Sequence, residues 1–124
     1  MSALEVRECS RHTVLALDGE IDLVAAPAVR ESLAEIVNDN TDRTVIIDLR
    51  DVTFMDSSGI GALLSAYRRL KLQQRSMVVA EPQPIVARVL GLTNIERVIP
   101  VADSLTSAVD NCSGIHTAAR RPAV

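Results

Sequence analysis

Apolar positions along the chain alternate between a period of two and a period of 3.6, the signature of strands interleaved with helices. Leu4, Val6 and Cys9 predict a short first strand, and His12–Asp18 (HTVLALD) a stronger one closed by Gly19. From Leu23 onward Val29, Leu33, Ile36 and Val37 fall on one helical face, with Pro27 in the first turn, where a missing N–H costs little. Asp22 is the expected N-cap of that helix. A polar run, Asn38 to Asp42, ends it, and the β-branched segment Thr44–Leu49 (TVIIDL) reads as a buried central strand. Ile60, Leu63, Leu64, Tyr67, Leu70 and Lys71 describe a second amphipathic helix, with Arg68, Arg69 and Arg75 toward water. Met77–Ala80 follows as a strand and Pro84–Leu90 as a short helix ending at Gly91. Arg97–Val101 reads as a weak edge strand because Pro100 cannot donate to a ladder. Asp103 is expected to cap a last helix holding Leu105, Ala108 and Val109, and 113–124 to be an unstructured tail. The order β-β-α-β-α-β-α-β-α with short connections predicts an α/β domain, a mixed and mostly parallel sheet packed against helices.

Composition narrows what such a domain does. With 124 residues, 48% hydrophobic and 23% charged, the chain suits one globular domain that folds without a metal or disulfide staple. One Tyr, one Phe, no Trp and a net charge of −3 argue against direct nucleic-acid binding, which uses aromatic platforms and basic surfaces. No apolar stretch approaches the ~18 residues of a membrane span, and the first residues lack the pattern of a signal peptide. The chain therefore reads as cytoplasmic, with no membrane partner. Cys9 and Cys112 form no metal-ligand pattern, and two reduced thiols are the default reading over a regulatory disulfide.

The chemistry-bearing segment is Asp48–Gly61, DLRDVTFMDSSGIG, in which a hydrophobic strand enters a serine-rich turn that opens into a helix. Helix N-terminal N–H groups lack intrahelical partners, and the macrodipole adds about +0.5 charge there. A serine at that point is suited to accept a phosphate or to sit beside an anion, and Gly59 and Gly61 would let another surface approach the backbone. The competing reading is that Ser57 or Ser58 simply caps the helix, and local spacing alone favours it. Asp48, Arg68, Arg69, Lys71 and Arg75 read as structural or solvated charges. Nucleophilic catalysis has no support: DSSG is not the G-x-S-x-G elbow, and neither His12 nor His116 is placed to act as a base. A P-loop is absent as well.

Gly19-Glu20-Ile21-Asp22, then Val45–Leu49, then Phe54-Met55-Asp56-Ser57-Ser58-Gly59-Ile60-Gly61 together resemble the STAS domain of bacterial anti-sigma factor antagonists. The likeness covers about residues 4–112. It implies a non-enzymatic partner switch with no cofactor, no metal and no catalytic residue. In this family the unphosphorylated protein binds an anti-sigma factor that is also a serine kinase, and so frees a sigma factor. Phosphorylation of the first serine of D-S-S-G, matching Ser57, ends the complex, and a serine phosphatase restores it. The resemblance also implies that Glu20, Asp22, Asp56, Ser57, Ser58, Gly59 and Gly61 face the partner. The residues leave open a weak homodimer and, as the alternative function, a scaffold or regulatory subunit of a larger STAS assembly. A small-molecule sensor is disfavoured because no cluster of pocket-forming polar groups is visible.

Overall fold

A computed structural model describes residues 4–8, 11–108 and 120–122. The strands are β1 (Leu4–Glu8), β2 (His12–Ile21), β3 (Thr44–Met55), β4 (Met77–Ala80), β5 (Val101–Ala102) and β6 (Arg120–Pro122). The helices are α1 (Ala26–Val37), α2 (Ser57–Leu72), α3 (Pro84–Leu92) and α4 (Leu105–Ala108), with a 3₁₀ turn at Ile95–Arg97. The sheet order is β5-β4-β3-β2-β1-β6. Pairings β2–β3, β3–β4 and β4–β5 are parallel, whereas β1 runs antiparallel to both β2 and β6.

Alternation along the strands divides the core. Leu15, Leu17, Val45, Ile47 and Val79 point to the face that meets α1, α2 and α3, and join the main cluster. Val14, Ile46 and Ala80 point to the opposite face, where Leu105 of α4 covers them. On α2, Ile60, Leu63 and Leu70 are buried, and Leu64 and Tyr67 pack at the margin, as the periodicity predicts.

Both β2 and β3 run further than their sequence pattern suggests. β2 continues through Gly19, which adopts φ 75°, a conformation that a side chain at Cβ would strain. Opposite it β3 gains one residue between Asp48 and Asp51 and another between Val52 and Phe54. Each extra residue reverses the inward parity, which keeps Val52 and Met55 buried after Leu49. Because β4 pairs only with Val45–Asp48, the remainder of β3 is partnered by β2 alone and projects past the sheet as a two-stranded ribbon.

Four other expectations are corrected. Leu23 lies in a turn before α1 and is 73% exposed, not on the buried helical face. Residues 97–101 hold the end of the 3₁₀ turn and only the first residue of the two-residue β5, since Ile95 and Ile99 are drawn into the core by local bonds. The cap before α4 is Ser104, whose Oγ accepts from Ser107 N at 2.9 Å; Asp103 does not fill that role. Arg120–Pro122, expected in an unstructured tail, pair with Glu5–Arg7. Cys9, Cys112, Val109, His116 and residues 113–119 lie outside the described residues.

Arg75 is the clearest reversal. Its side chain is 1% exposed rather than solvated, and it pairs with Asp39 at 3.4 Å. Nε donates to the Arg43 carbonyl at 3.2 Å, and Nη1 donates to the Ile36 carbonyl at 3.2 Å. The guanidinium thus satisfies carbonyls at the C-terminus of α1 that the helix itself cannot. α2 ends at Leu72, so Arg75 was never on the helical face that its neighbours share.

Candidate functional site

The ribbon delivers two turns to the same end of the sheet. Glu20 pairs in register with Phe54 and Ile21 with Met55, and Asp56 N donates to the Ile21 carbonyl at 3.2 Å. The end of β2 with Asp22 and the Asp56–Gly61 helix start are thereby adjacent.

Asp22 and Asp56 each have a local structural duty. Asp22 Oδ1 accepts from Val24 N at 3.1 Å and Ala25 N at 3.0 Å, and its carbonyl accepts from Ala26 N at 2.8 Å. These bonds close a turn ahead of α1, whose helical N-cap is Ala25, so the helix starts about one turn later than expected and Asp22 braces its entry instead of capping it. Asp56, and neither serine, is the N-cap of α2: its Oδ1 accepts from Ser58 N at 2.8 Å and Gly59 N at 3.4 Å. The capping reading of Ser57 and Ser58 is therefore overturned. Ser57 is exposed, Ser58 half-buried, and the carboxylate performs what the hydroxyls were expected to do. Two of the N–H groups at this helix start are consequently occupied and not open to an anion.

Gly59 also has a different reason from the one the motif suggested. It is buried, and a Cβ there would stand 2.8 Å from Met55 Cγ, 2.9 Å from Ile21 Cγ2 and 3.0 Å from the Ile21 carbonyl. The missing side chain lets α2 close onto the end of β2 and is not an opening for a partner. Gly61 is half-buried and faces α1, where Arg30 Nη2 would lie 3.1 Å from its Cβ.

The surroundings hold a feature the sequence reading missed. Leu23 and Val24, in the turn Asp22 braces, are 73% and 86% exposed, and Phe54 on the ribbon is 41% exposed. An apolar rim thus accompanies the hydroxyl and the carboxylates, a composition common to protein-binding surfaces. The signal was present in the adjacent pair Leu23-Val24, which no single helical face accommodates together with Val29 and Leu33.

Further along β3, Asp48 is buried and holds the Arg50 guanidinium at 3.0 Å. That hydrogen bond, opposed by partial burial and aided by the charges of Asp48, Glu81 and Asp51, raises the Arg50 pKa. The pair fixes the strand where the ribbon leaves the sheet, which agrees with a structural role for Asp48. Among the described residues no helix is long and apolar enough to cross a membrane.

Residues 3–108 match the STAS domain family. Over 101 residues the chain is 30% identical to the anti-sigma-F factor antagonist RsfB of Mycobacterium tuberculosis, covering 82% of this chain and 81% of that protein. An anti-sigma factor antagonist from Mycobacterium paratuberculosis has the same fold, with a TM-score of 0.82, 27% identity, and coverage of 90% and 94% of the two chains. The anti-sigma factor antagonist SpoIIAA in its unphosphorylated form gives a TM-score of 0.70 at 26% identity, covering 91% of this chain and all (100%) of that one. Bacillus SpoIIAA in the phosphorylated form gives 0.69 at 24%, covering 88% and 98%.

Proposed function

The chain belongs to the STAS-domain family, and from that membership we propose that it is an anti-sigma factor antagonist switched by phosphorylation of Ser57. Unmodified, it binds an anti-sigma factor that is also a serine kinase, in the cytoplasm, and a bound sigma factor is released to direct transcription. The kinase modifies Ser57, the complex dissociates, and a serine phosphatase restores the first state. The protein acts by changing partners and not by catalysis.

The observation that carries this reading is the division of labour at the start of α2. Asp56 caps the helix, so the exposed Ser57 hydroxyl is not committed to the fold and can be modified without loss of a helix bond. Leu23, Val24 and Phe54 supply apolar area for an interface, while Glu20, Asp22, Asp56, Ser57 and Ser58 supply its polar part. Gly59 and Gly61 serve the same surface indirectly, by setting how α2 packs against β2 and α1. Phosphate brings about −1.5 to −2 charges beside Asp56. Because phosphate carries nearly two charges, a single cation would leave about one unbalanced; desolvating it against a partner costs several kcal/mol, and about 3 kcal/mol already weakens binding more than a hundredfold.

The test is titration calorimetry against the anti-sigma kinase recovered by pull-down with unmodified protein. Ser57→Ala binds like wild type but cannot be released by ATP. Ser57→Glu, with one charge where phosphate has nearly two, loses at least about tenfold in affinity. Equal affinity for wild type and Ser57→Glu, or phosphate mapped by mass spectrometry to Ser58 alone, sinks the assignment.

A further inference from the structure

We propose that Arg30 of α1 is the counter-ion for the phosphate on Ser57, so that the modified loop is held by a neighbouring helix of the same chain. The inference rests on the phosphoacceptor reading above and adds what happens to the charge once it is installed.

Gly61 follows Ser57 by four residues, and such residues share a helix face with Cβ positions about 5–6 Å apart. Arg30 Nη2 lies 3.1 Å from where a Cβ on Gly61 would stand. The guanidinium therefore rests one turn from Ser57, over the bare backbone that the missing side chain leaves. Arg30 is exposed, and among the described residues no ion pair holds it there. Ala34, Ala62 and Ser65 line the groove of about 340 Å³ between α1 and α2 in which it sits, so small side chains leave it free to swing.

The phosphate, for its part, has few other recipients. The N–H groups of Ser58 and Gly59 already donate to Asp56. Asp56 itself repels the added charge, as do Glu20 and Asp22 from the neighbouring turn and Glu31 from α1. Arg69, the other cation of the groove, is two turns further along α2 than Gly61, about 12 Å away by helical rise. Of the two cations of the groove Arg30 is the one near Ser57, and a guanidinium matches phosphate oxygens with parallel N–H donors. In the transfer itself a bond forms between Ser57 Oγ and the γ-phosphorus of ATP while the bond to ADP breaks, and the serine proton leaves to the kinase side. Arg30 takes no part in that step and acts on its product.

The experiment installs phosphoserine at position 57 of the full chain by codon reassignment, so that no kinase is needed, and follows its ³¹P resonance through a pH titration. An Arg nearby favours the dianion, so the second phosphate pKa is lower in wild type than in Arg30→Gln, by about half a unit after allowance for solvent screening. Arg30→Lys recovers part of the shift, and Arg69→Gln leaves the wild-type midpoint. Equal midpoints for wild type and Arg30→Gln, or a shift as large in Arg69→Gln, overturn the pairing. Failure of the functional reading shows elsewhere, as kinase-catalysed phosphate on another residue, and the two outcomes are distinguishable.

Discussion

Replacing Gly59 with alanine sets two effects of opposite sign against each other, and the distances decide between them. Alanine is favoured over glycine inside a helix by about 0.8–1 kcal/mol, a gain reduced here because Gly59 lies in the first turn of α2. Against it, the new methyl would meet Met55 Cγ at 2.8 Å and Ile21 Cγ2 at 2.9 Å, where carbon atoms rest at about 3.5–4.0 Å. Met55 is flexible, but it is 1% exposed, as is Ile21, so neither side chain has vacant space to enter. Ile21 is β-branched and stiff, and its carbonyl, at 3.0 Å from the methyl, is backbone that also receives Asp56 N. Overpacking of this kind costs about 1–3 kcal/mol, so the net expectation is a loss of about 1–2 kcal/mol. In a domain of this length that lowers Tm by roughly 3–10 °C. Gly61→Ala is the matched control, because its only close neighbour, Arg30 Nη2 at 3.1 Å, is the free end of a long side chain. It should be neutral or slightly stabilising. Urea and thermal unfolding of both variants make the comparison, and a Gly59→Ala protein as stable as wild type would refute the packing argument.

Two further perturbations separate structure from signalling. Asp56→Ala removes the acceptor of two N–H groups and should cost about 0.5–2 kcal/mol in urea unfolding, whereas Asp56→Asn, an equally good cap, should cost only a few tenths; comparable losses for both would mean that the charge and not the cap matters. Arg75→Met removes the guanidinium from the Arg43 carbonyl, leaves the Ile36 carbonyl with Asp39 N and the Asp39 carboxylate with Thr41, and should destabilise by about 1–3 kcal/mol with no effect on partner affinity at temperatures where the fold is intact; a loss below about 0.5 kcal/mol would show that water replaces the guanidinium.

The candidate site was legible in the sequence as a place in the fold because its residues are close along the chain. Asp56, Ser57 and Gly59 are consecutive or nearly so, and a strand running into a helix fixes where each must sit. What was misread was the duty of each: the serines look like caps until the preceding aspartate is seen to hold both N–H groups. Arg75 was misread for the opposite reason, since its partners Ile36, Asp39 and Arg43 are more than thirty positions away and no local period announces them. The strand lengths failed where bulges break the alternation after Asp48, and residues 97–101 failed because the 3₁₀ turn Ile95–Arg97 runs into a bend that buries Ile99 and leaves only Val101 to β5.

The ribbon formed where β2 and β3 outrun β4 has an evolutionary consequence. The exposed side chains that would decide which partner is chosen, Glu20, Leu23, Val24, Phe54 and Ser57, lie beyond the last β3–β4 pair, and the buried Ile21, Val52 and Met55 among them belong with the residues that hold the layers together. Substitutions in one group therefore trade little against the other, as expected for sites with few shared contacts. A duplicated copy of this chain could diverge toward a new cognate protein through those few positions while its sheet and helices stayed under unchanged constraint. Parallel regulatory circuits built on one scaffold, insulated from each other by their rims alone, are the outcome that such an arrangement makes accessible.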